Sequence, residues 1–456
     1  MQRNDEQEVP GIKPGGVPFI RLTLKIIFSI IICYDSSMNE NWDVIIIGGG
    51  PAGMMAAQHI AKRGLSVVLL EKNATLGKKL LITGGGRCNV TNAEFDNRKL
   101  LSRFGDDGKY LFSAFSQWDV KKTLDFFHSR NMETKIENEN RVFPKSNKAQ
   151  SVFDVLYGAM QENRVKIMTD SPVKEILVEG GKITGVRTSS GIILGEKVII
   201  ATGGTSHPET GSTGDAYKWL AKLGHKIIIP EPSLVPLTTK DAWTHRLAGM
   251  SLSNIKITTY VDQVKQKVKA TKNAKPENSK VLFTHVGLSG PTILNMSKEI
   301  RELLKYGDVS ITIDLLPKYD YSKLNTELQN IFEINNNKKI KNSLDSILPS
   351  RLTLNILEMS NINPEKKCNE ISREERVSLM KIIKAVPINI KGLQSLDKAI
   401  ISSGGVDLEE VDFRTMQSKI HPNLFLIGDI LNIDRPSGGF SLQICWTTGM
   451  VAAMNI

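Results

Sequence analysis

Asp43-Val44-Ile45-Ile46-Ile47-Gly48-Gly49-Gly50-Pro51-Ala52-Gly53 is the stretch on which the reading of this chain turns. Its first five residues are a short, mostly β-branched apolar run, the pattern of a buried strand beginning at about Trp42. The next six match GxGxxG, with Gly48, Gly50 and Gly53 in the three key places. Gly48 permits the tight turn after the strand, Gly50 lets a pyrophosphate approach the backbone, and Gly53 lets the following helix pack closely on the sheet. Pro51 and Ala52 complete the turn. The helical stretch Met54–Lys62 follows, Gly64 reads as its stop, and Val67–Leu70 reads as a second buried strand. This is a βαβ beginning, and it predicts a doubly wound α/β domain. Glu71 stands at the end of the second strand, placed to accept hydrogen bonds from the hydroxyls of an adenosine ribose. An acid there disfavours a 2′-phosphate. A glycine-rich turn without a ligand is the competing reading.

Outward from this unit, Leu76–Asn92 is rich in Gly, Lys and Asn and shows neither period, so it reads as a loop. Segments 165–168, 173–178, 183–188 and 192–194 suggest a small antiparallel meander, Val198–Ala201 another buried strand, and Asp215–Leu223 a helix capped by Ser212 or Thr213. After Pro230 the character changes. Strand-like segments at 255–261, 281–284 and 309–315 predict a β-rich insert, and 320–383 a helical piece. Leu424–Ile427 returns to a buried strand and Phe440–Met454 to a helix.

Composition bounds the rest. The 456 residues are 40% hydrophobic and 23% charged, which excludes a wholly disordered chain. Net charge is +11, part of it from lysines at 265, 267, 269, 272, 275 and 280 with no interleaved aromatics. That run reads as a solvated loop rather than a base-stacking platform. Four cysteines without a CxxC pair, and seven histidines without metal spacing, give no disulfide framework and no metal site, and fit a cytoplasmic setting. The apolar run Ile26–Cys33 is too short to span a bilayer. Met38 is the expected start, with residues 1–37 an extension outside the fold.

Dinucleotides of both kinds use the βαβ unit, so the far end of the chain chooses between them. Leu424–Ile427 runs into Gly428-Asp429, which puts a carboxylate at the carboxyl edge of the sheet, suited to a ribityl chain. Pro436-Ser437-Gly438-Gly439 then opens the last helix, whose free N–H groups suit the N1–C2=O edge of a reduced flavin. The expected cofactor is FAD. The competing reading of Asp429 is a simple turn residue.

Four further stretches carry a resemblance: Gly84-Gly85-Gly86-Arg87-Cys88-Asn89-Val90-Thr91-Asn92; Ala201-Thr202-Gly203-Gly204 with Gly211-Ser212-Thr213-Gly214-Asp215; Thr284-His285-Val286-Gly287-Leu288-Ser289-Gly290-Pro291; and Ser403-Gly404-Gly405-Val406. From about Asp43 to Val451 the chain resembles the bacterial NAD(P)/FAD-dependent oxidoreductase flavoproteins, whose relatives include aminoacetone oxidase and 3-dehydro-bile-acid reductase. Relatives often carry Glu where Asp429 stands. The resemblance implies a discontinuous Rossmann-type FAD-binding domain with an inserted β-barrel-like domain and a helical subdomain. The expected boundaries are 38–230 with 395–456 for the FAD domain, 231–318 with 384–394 for the β-rich insert, and 319–383 for the helical piece.

The candidate cofactor set is Gly48, Gly50, Pro51, Ala52, Gly53, Glu71, Lys72, Lys79, Arg87, Cys88, Asn89, Val173, Ala201, Thr202, Gly203, Gly428, Asp429, Gly438, Gly439 and Phe440. His285 and Arg87 are the catalytic candidates. His285 reads as a proton donor or a structural histidine, Arg87 as a carboxylate or phosphate clamp or a structural bridge, and Cys88 as a buried small hydrophobe rather than a redox thiol. The expected chemistry is hydride transfer through flavin N5, by an NAD(P)H-linked reductase of a small enone-like substrate. The alternatives are an amine oxidase of the aminoacetone type and, more remotely, a flavin-containing nucleic-acid-associated protein. NAD(P)H is expected only as a transient donor, and neither a nucleic-acid partner nor a membrane anchor is expected. The sequence sets no oligomeric state.

Overall fold

The apolar run before Gly48 forms β1 (Trp42–Ile47), whose last four residues are buried. The computed structural model describes residues 41–261, 264–268, 279–395 and 401–456. The expectations for residues 1–37 and Met38, and for the lysines at 269, 272 and 275, lie outside them, as do the side chains at 265 and 267. β1 leads through the glycine turn into α1 (Pro51–Lys62) and then β2 (Val67–Leu70). α2 (Lys78–Gly86) occupies much of the stretch expected to be a loop. It is regular only at its start, because Thr83 is extended and Gly84 and Gly85 are left-handed. The loop reading therefore missed one helical turn.

Beyond lie β3 (Lys166–Met168), β4 (Val173–Glu179), β5 (Lys182–Thr188) and β6 (Ile192–Ile200). Late in the chain come β7 (Leu424–Leu426) and the final helix α5 (Phe440–Asn455). The order β7-β6-β1-β2-β3 is parallel throughout. Two corrections follow. β3 belongs to this parallel sheet and not to the meander. The segments expected as two strands, 192–194 and 198–201, are one: β6 pairs antiparallel with β5 at Ile192–Leu194 and parallel with β1 and β7 further on. α3 (Asp215–Lys222) starts at Gly214 without a side-chain cap, against the expected Ser212 or Thr213.

α5 is buried over nearly its whole circumference, as its uniformly apolar and small-residue sequence requires. It packs against α1, where Gly449 lies against the Ala52 carbonyl. One core joins these elements to the parallel sheet, and a second lies in residues 237–390. The second is built on an eight-stranded antiparallel sheet whose pairing path runs 251–253, 280–284, 287–289, 237–239, 386–393, 309–314, 256–261, 264–268. Helices Tyr321–Ile334, Ser350–Met359 and Arg373–Lys384 cover it, and α4 (Pro291–Leu303) faces back toward the first core. The strand pair Ile227–Ser233 and Ile401–Val406 connects the two parts. Among the described residues no helix is long and apolar enough to cross a membrane.

Candidate active site

The glycines after β1 divide into two kinds. A Cβ on Gly53 would overlap the Gly48 carbonyl, and one on Gly48 would lie 2.5 Å from the Ala201 carbonyl oxygen. Those two positions are needed for the chain to pack on itself. A Cβ on Gly50 would meet nothing within 4 Å, so this glycine keeps space open for something outside the chain. Gly50 is the N-cap of α1 and offers no side-chain cap. The first-turn N–H groups therefore face that space with the positive end of the helix dipole behind them.

Glu71 forms one end of the site. Its Oε2 accepts from the Gly49 N–H at 2.9 Å, and its Oε1 accepts from the Asn73 N–H at 2.9 Å and Nδ2 at 2.7 Å. An ionised carboxylate has about four acceptor positions, so capacity remains for a ribose hydroxyl. Lys72 bridges across this end to Thr213 Oγ1 and Asp215, at 2.5 and 2.8 Å. Asn73 Nδ2 also donates to the Thr210 carbonyl at 3.1 Å.

Asp429 follows β7 and Gly428, whose N–H donates to Thr448 Oγ1 at 3.0 Å. Its carboxylate stands between two cations, with Lys79 Nζ 3.6 Å from Oδ2 and Arg435 Nη1 3.0 Å from Oδ1. Burial pushes the carboxyl pKa up, but Arg435 and Lys79 outweigh it and hold the group below the ordinary aspartate value. Lys79 also donates to Ser206 Oγ at 2.6 Å. The buried hydroxyls of Thr202 and Tyr217 have no hydrogen-bond partner among the described residues. Burial, and then the Asp429 charge, raise the Tyr217 pKa.

Glu71 and Asp429 line one continuous groove of about 1240 Å³. Gly48, Gly50, Pro51, Ala52, Lys72, Lys79, Val173, Ala201, Thr202 and Gly203 line it with them, as do Ser441, Leu442 and Cys445 at the start of α5. The open space at Gly50, the uncapped helix ends and the unpartnered hydroxyls fit an elongated dinucleotide with a polyol at its middle. Gly53 and Gly428 lie just behind the wall. Gly439, at φ +98°, packs against the Thr91 carbonyl and near Asn89 Oδ1, which is buried and unpartnered.

Two further grooves open between the cores. One, of about 1490 Å³, is lined by Gly438 and Phe440 together with Asn92, Lys99, Arg103, Thr292 and Asn295. The other, of about 1500 Å³, holds Arg87 with Glu137, Glu139, Arg141, Phe143, Asn254 and Lys280. Arg87 donates to Glu137 at 2.5 Å and to Asn147 Oδ1 at 2.7 Å, and lies 4.1 Å over the Phe143 ring. Asn92 Nδ2 donates to the carbonyls of Glu139 and Gly438, tying the turn between the grooves to the start of α5.

Cys88 is fully buried, and burial pushes its thiol up to about 12. His285 is not brought to any of these grooves. Its hairpin leaves the cleft at Lys280 and returns to it at Pro291, so the exposed turn carrying His285 lies roughly 15 Å away along the strands. Sequence reasoning missed Arg435 and Tyr217; Asn92 closes the glycine-rich stretch it had singled out, without a role of its own. Arg435 left one signal, an arginine between Asp429 and the glycine pair, in a run otherwise apolar or turn-forming.

The chain is 28% identical over 410 residues to the 3-dehydro-bile acid delta(4,6)-reductase of Clostridium scindens, covering 89% of this chain and 97% of that one. It is equally 28% identical over 422 residues to the ribosomal RNA dihydrouridine synthase of Escherichia coli, covering 91% and 98%. The 3-ketosteroid delta1-dehydrogenase of Sterolibacterium denitrificans shares the fold, with a TM-score of 0.50, 13% identity, and coverage of 91% of this chain and 99% of that one. The family of the HI0933-like protein Rossmann domain matches residues 42–455, and the chain belongs to it, as an FAD-dependent oxidoreductase.

Proposed function

We propose that this enzyme reduces a C=C bond conjugated to a carbonyl, using electrons from a transiently bound NAD(P)H. One observation carries the reading. The groove ends at the start of α5, and the two residues just before that end, Gly438 and Phe440, line a solvent-open cleft between the cores. A flat ring at that end of the groove borders a space large enough for a substrate. Bound FAD supplies hydride transfer at its N5.

The chain's own residues do the rest. Glu71 and the first-turn N–H groups of α1 hold the adenosine and pyrophosphate, and Asp429 accepts from the ribityl hydroxyls. The uncapped N-terminus of α5 would favour negative charge on a ring held beside it. Arg141, Lys280, Asn92 and Asn295 offer donors for a substrate carbonyl on the cleft walls. The names of the two curated relatives support the reaction class. A 3-oxo compound with a delta(4,6) system and the uracil ring that becomes dihydrouridine both present a C=C conjugated to a carbonyl.

The cleft also favours a second, narrower reading of the substrate. Phe143, Pro291 and Phe440 are the apolar side chains among its lining, and apart from Gly438 the remainder are amides, hydroxyls and charges. Such walls suit a polar ring such as uracil better than a hydrocarbon-rich steroid. With the chain's net charge of +11, that reading brings in RNA, which the sequence did not lead us to expect.

The test is anaerobic. The yellow enzyme is bleached with NADH or NADPH and then offered a 3-oxo-4-ene steroid or a uridine-containing RNA. Reoxidation by either supports the reductase, and the faster one names the substrate. No bleaching by either nucleotide, with peroxide formed from aminoacetone in air, establishes the oxidase instead.

A further inference from the structure

Arg435 is an arginine with almost no exposure, on the segment between Asp429 and the glycine pair before α5. Its side chain is 1% exposed. Nη2 donates to the Leu431 carbonyl at 3.2 Å. Nε has no hydrogen-bond partner among the described residues, and Nη1 stands 3.0 Å from Asp429 Oδ1 as an ion pair without hydrogen-bond alignment. A buried guanidinium with one of its nitrogens unpartnered is costly unless its charge is used.

The use is visible at Asp429. Oδ1 faces Arg435, which does not line the groove, and lies 4.0 Å from the Cys445 thiol, while Oδ2 faces Lys79, which does line it. The two oxygens are thereby given different tasks. Thr202 Oγ1, on the groove wall, is buried without a hydrogen-bond partner among the described residues, and so is the hydroxyl of Tyr217, which lies close enough to feel the Asp429 charge.

We propose that Arg435 is a positioning residue for the cofactor: it holds the Asp429 carboxylate turned so that Oδ2 is presented to the polyol of FAD. This rests on the reading of the groove given above. It also explains how an aspartate, one methylene shorter than glutamate, serves here: the guanidinium fixes the short arm from behind.

The experiment measures dissociation constants of the apoprotein for FAD and for ADP, which engages the Glu71 half of the groove without a polyol. For R435M we expect FAD binding weakened at least about tenfold and ADP binding changed less than about twofold. R435K should recover most of the FAD affinity, because it restores the charge. Unchanged FAD binding in R435M overturns the proposal, as does parallel loss of FAD and ADP, or an R435K no better than R435M. If R435M does not fold, R435Q replaces it, with the same expected split. FAD binding by R435Q as tight as the parent's overturns the proposal. E71Q and D429N separate this inference from the reading beneath it. If both bind FAD like the parent, the groove assignment falls and Arg435 with it. If both weaken while R435M does not, Arg435 alone falls.

Discussion

At the scale of single residues, the glycine motif gives a clean pair of outcomes. Gly53→Ala drives a methyl into the Gly48 carbonyl, so we expect it to cost at least about 2 kcal/mol of stability, read as a fall in thermal midpoint. Gly50→Ala places its methyl in open space at a backbone conformation any residue adopts. It should leave the midpoint of the apoprotein within about 1 kcal/mol while weakening FAD by an order of magnitude or more. Equal effects from both substitutions would contradict the division of labour drawn here. Cys88, pushed up to about 12 by burial, stays a thiol at neutral pH. We expect it to resist iodoacetamide in the folded protein and Cys88→Ala to keep FAD bound. The residue scale is also where the sequence was most legible. Glu71 and Gly48–Gly53 lie within one βαβ unit, so local spacing was enough to place them. Asp429 was found because a strand end has a known place relative to the sheet. Tyr217 escaped because it matters through Asp429, far off in sequence, and Arg435 because a spacing of six residues does not say that the guanidinium turns back onto the carboxylate; Asn92 stood in a quoted stretch, but its tie to the Glu139 carbonyl 47 residues on was not legible. His285 was misplaced relative to the cleft because a motif does not say at which end of a hairpin it will lie.

Elements were readable wherever one period dominated, and misread where two roles shared a segment. β6 looked like two strands because its first half serves an exposed antiparallel meander and its second half a buried parallel sheet, and the change of burial at Glu196 breaks the pattern. α2 was hidden by glycines that belong to the turn closing it. Thr213 was expected to cap α3 but is drawn instead to Lys72 across the groove, a tertiary contact outcompeting a local one. His225, just after α3, is held as a neutral ring. Its Nδ1 lies 2.8 Å from Glu410, and its Nε2 lies 2.9 Å from Ser418 Oγ, a hydroxyl that already accepts from two backbone N–H groups. That leaves the hydroxyl to donate to Nε2 and Nδ1–H to donate to the carboxylate. Burial holds the ring pKa below the ordinary 6.5, against the pull of Glu410. The unfolded chain therefore binds this proton more readily. The contribution of His225 is full above about pH 6.5 and falls as pH drops from there toward its lowered folded value. We expect the thermal midpoint to fall between about pH 7.5 and about pH 5.5, and His225→Gln to lower the midpoint at the higher pH but flatten that fall. In the helical layer, Ser372 and Glu375 form a reciprocal capping box. Ser372→Ala should cost about 1 kcal/mol there without changing FAD affinity.

For the whole molecule, the consequential fact is that the clefts have one wall from each core. Arg87, Arg141 and Phe143 face Asn254 and Lys280 across one, and Asn92, Arg103 and Gly438 face Thr292 and Asn295 across the other. On the reading proposed above, substrate recognition depends on how the inserted part is held, and the sequence was silent on how it is held. Neither core needs the other to bury its apolar residues, so no hydrophobic period records their docking. The docking is polar and centred on α4. Asn295 accepts from the Ser437 N–H at 2.9 Å, Lys298 pairs with Asp434, and Arg301 reaches Glu231 at 2.8 Å. Asp434 is also tied to Ser403 and, through its N–H, to Asp107 on the first core. These contacts touch the segment just before the glycine pair, yet they lie off the cofactor groove. Loosening them should change how substrate is held and leave the cofactor in place. We expect the double variant Asn295→Ala/Lys298→Ala to bind FAD within about twofold of the parent and to keep its rate of reduction by NAD(P)H at saturation, while KM for the oxidising substrate rises about tenfold. Cleavage by a protease in the connecting strands should speed up in parallel, because polar contacts of this kind are worth about 1 kcal/mol each and three of them set the resting closure. If FAD is lost instead, α4 is part of the cofactor site and the separation of the two walls is wrong. If KM stays unchanged while proteolysis accelerates, the substrate is held by the first core alone, and the binding site contracts to Arg87, Asn92 and their neighbours.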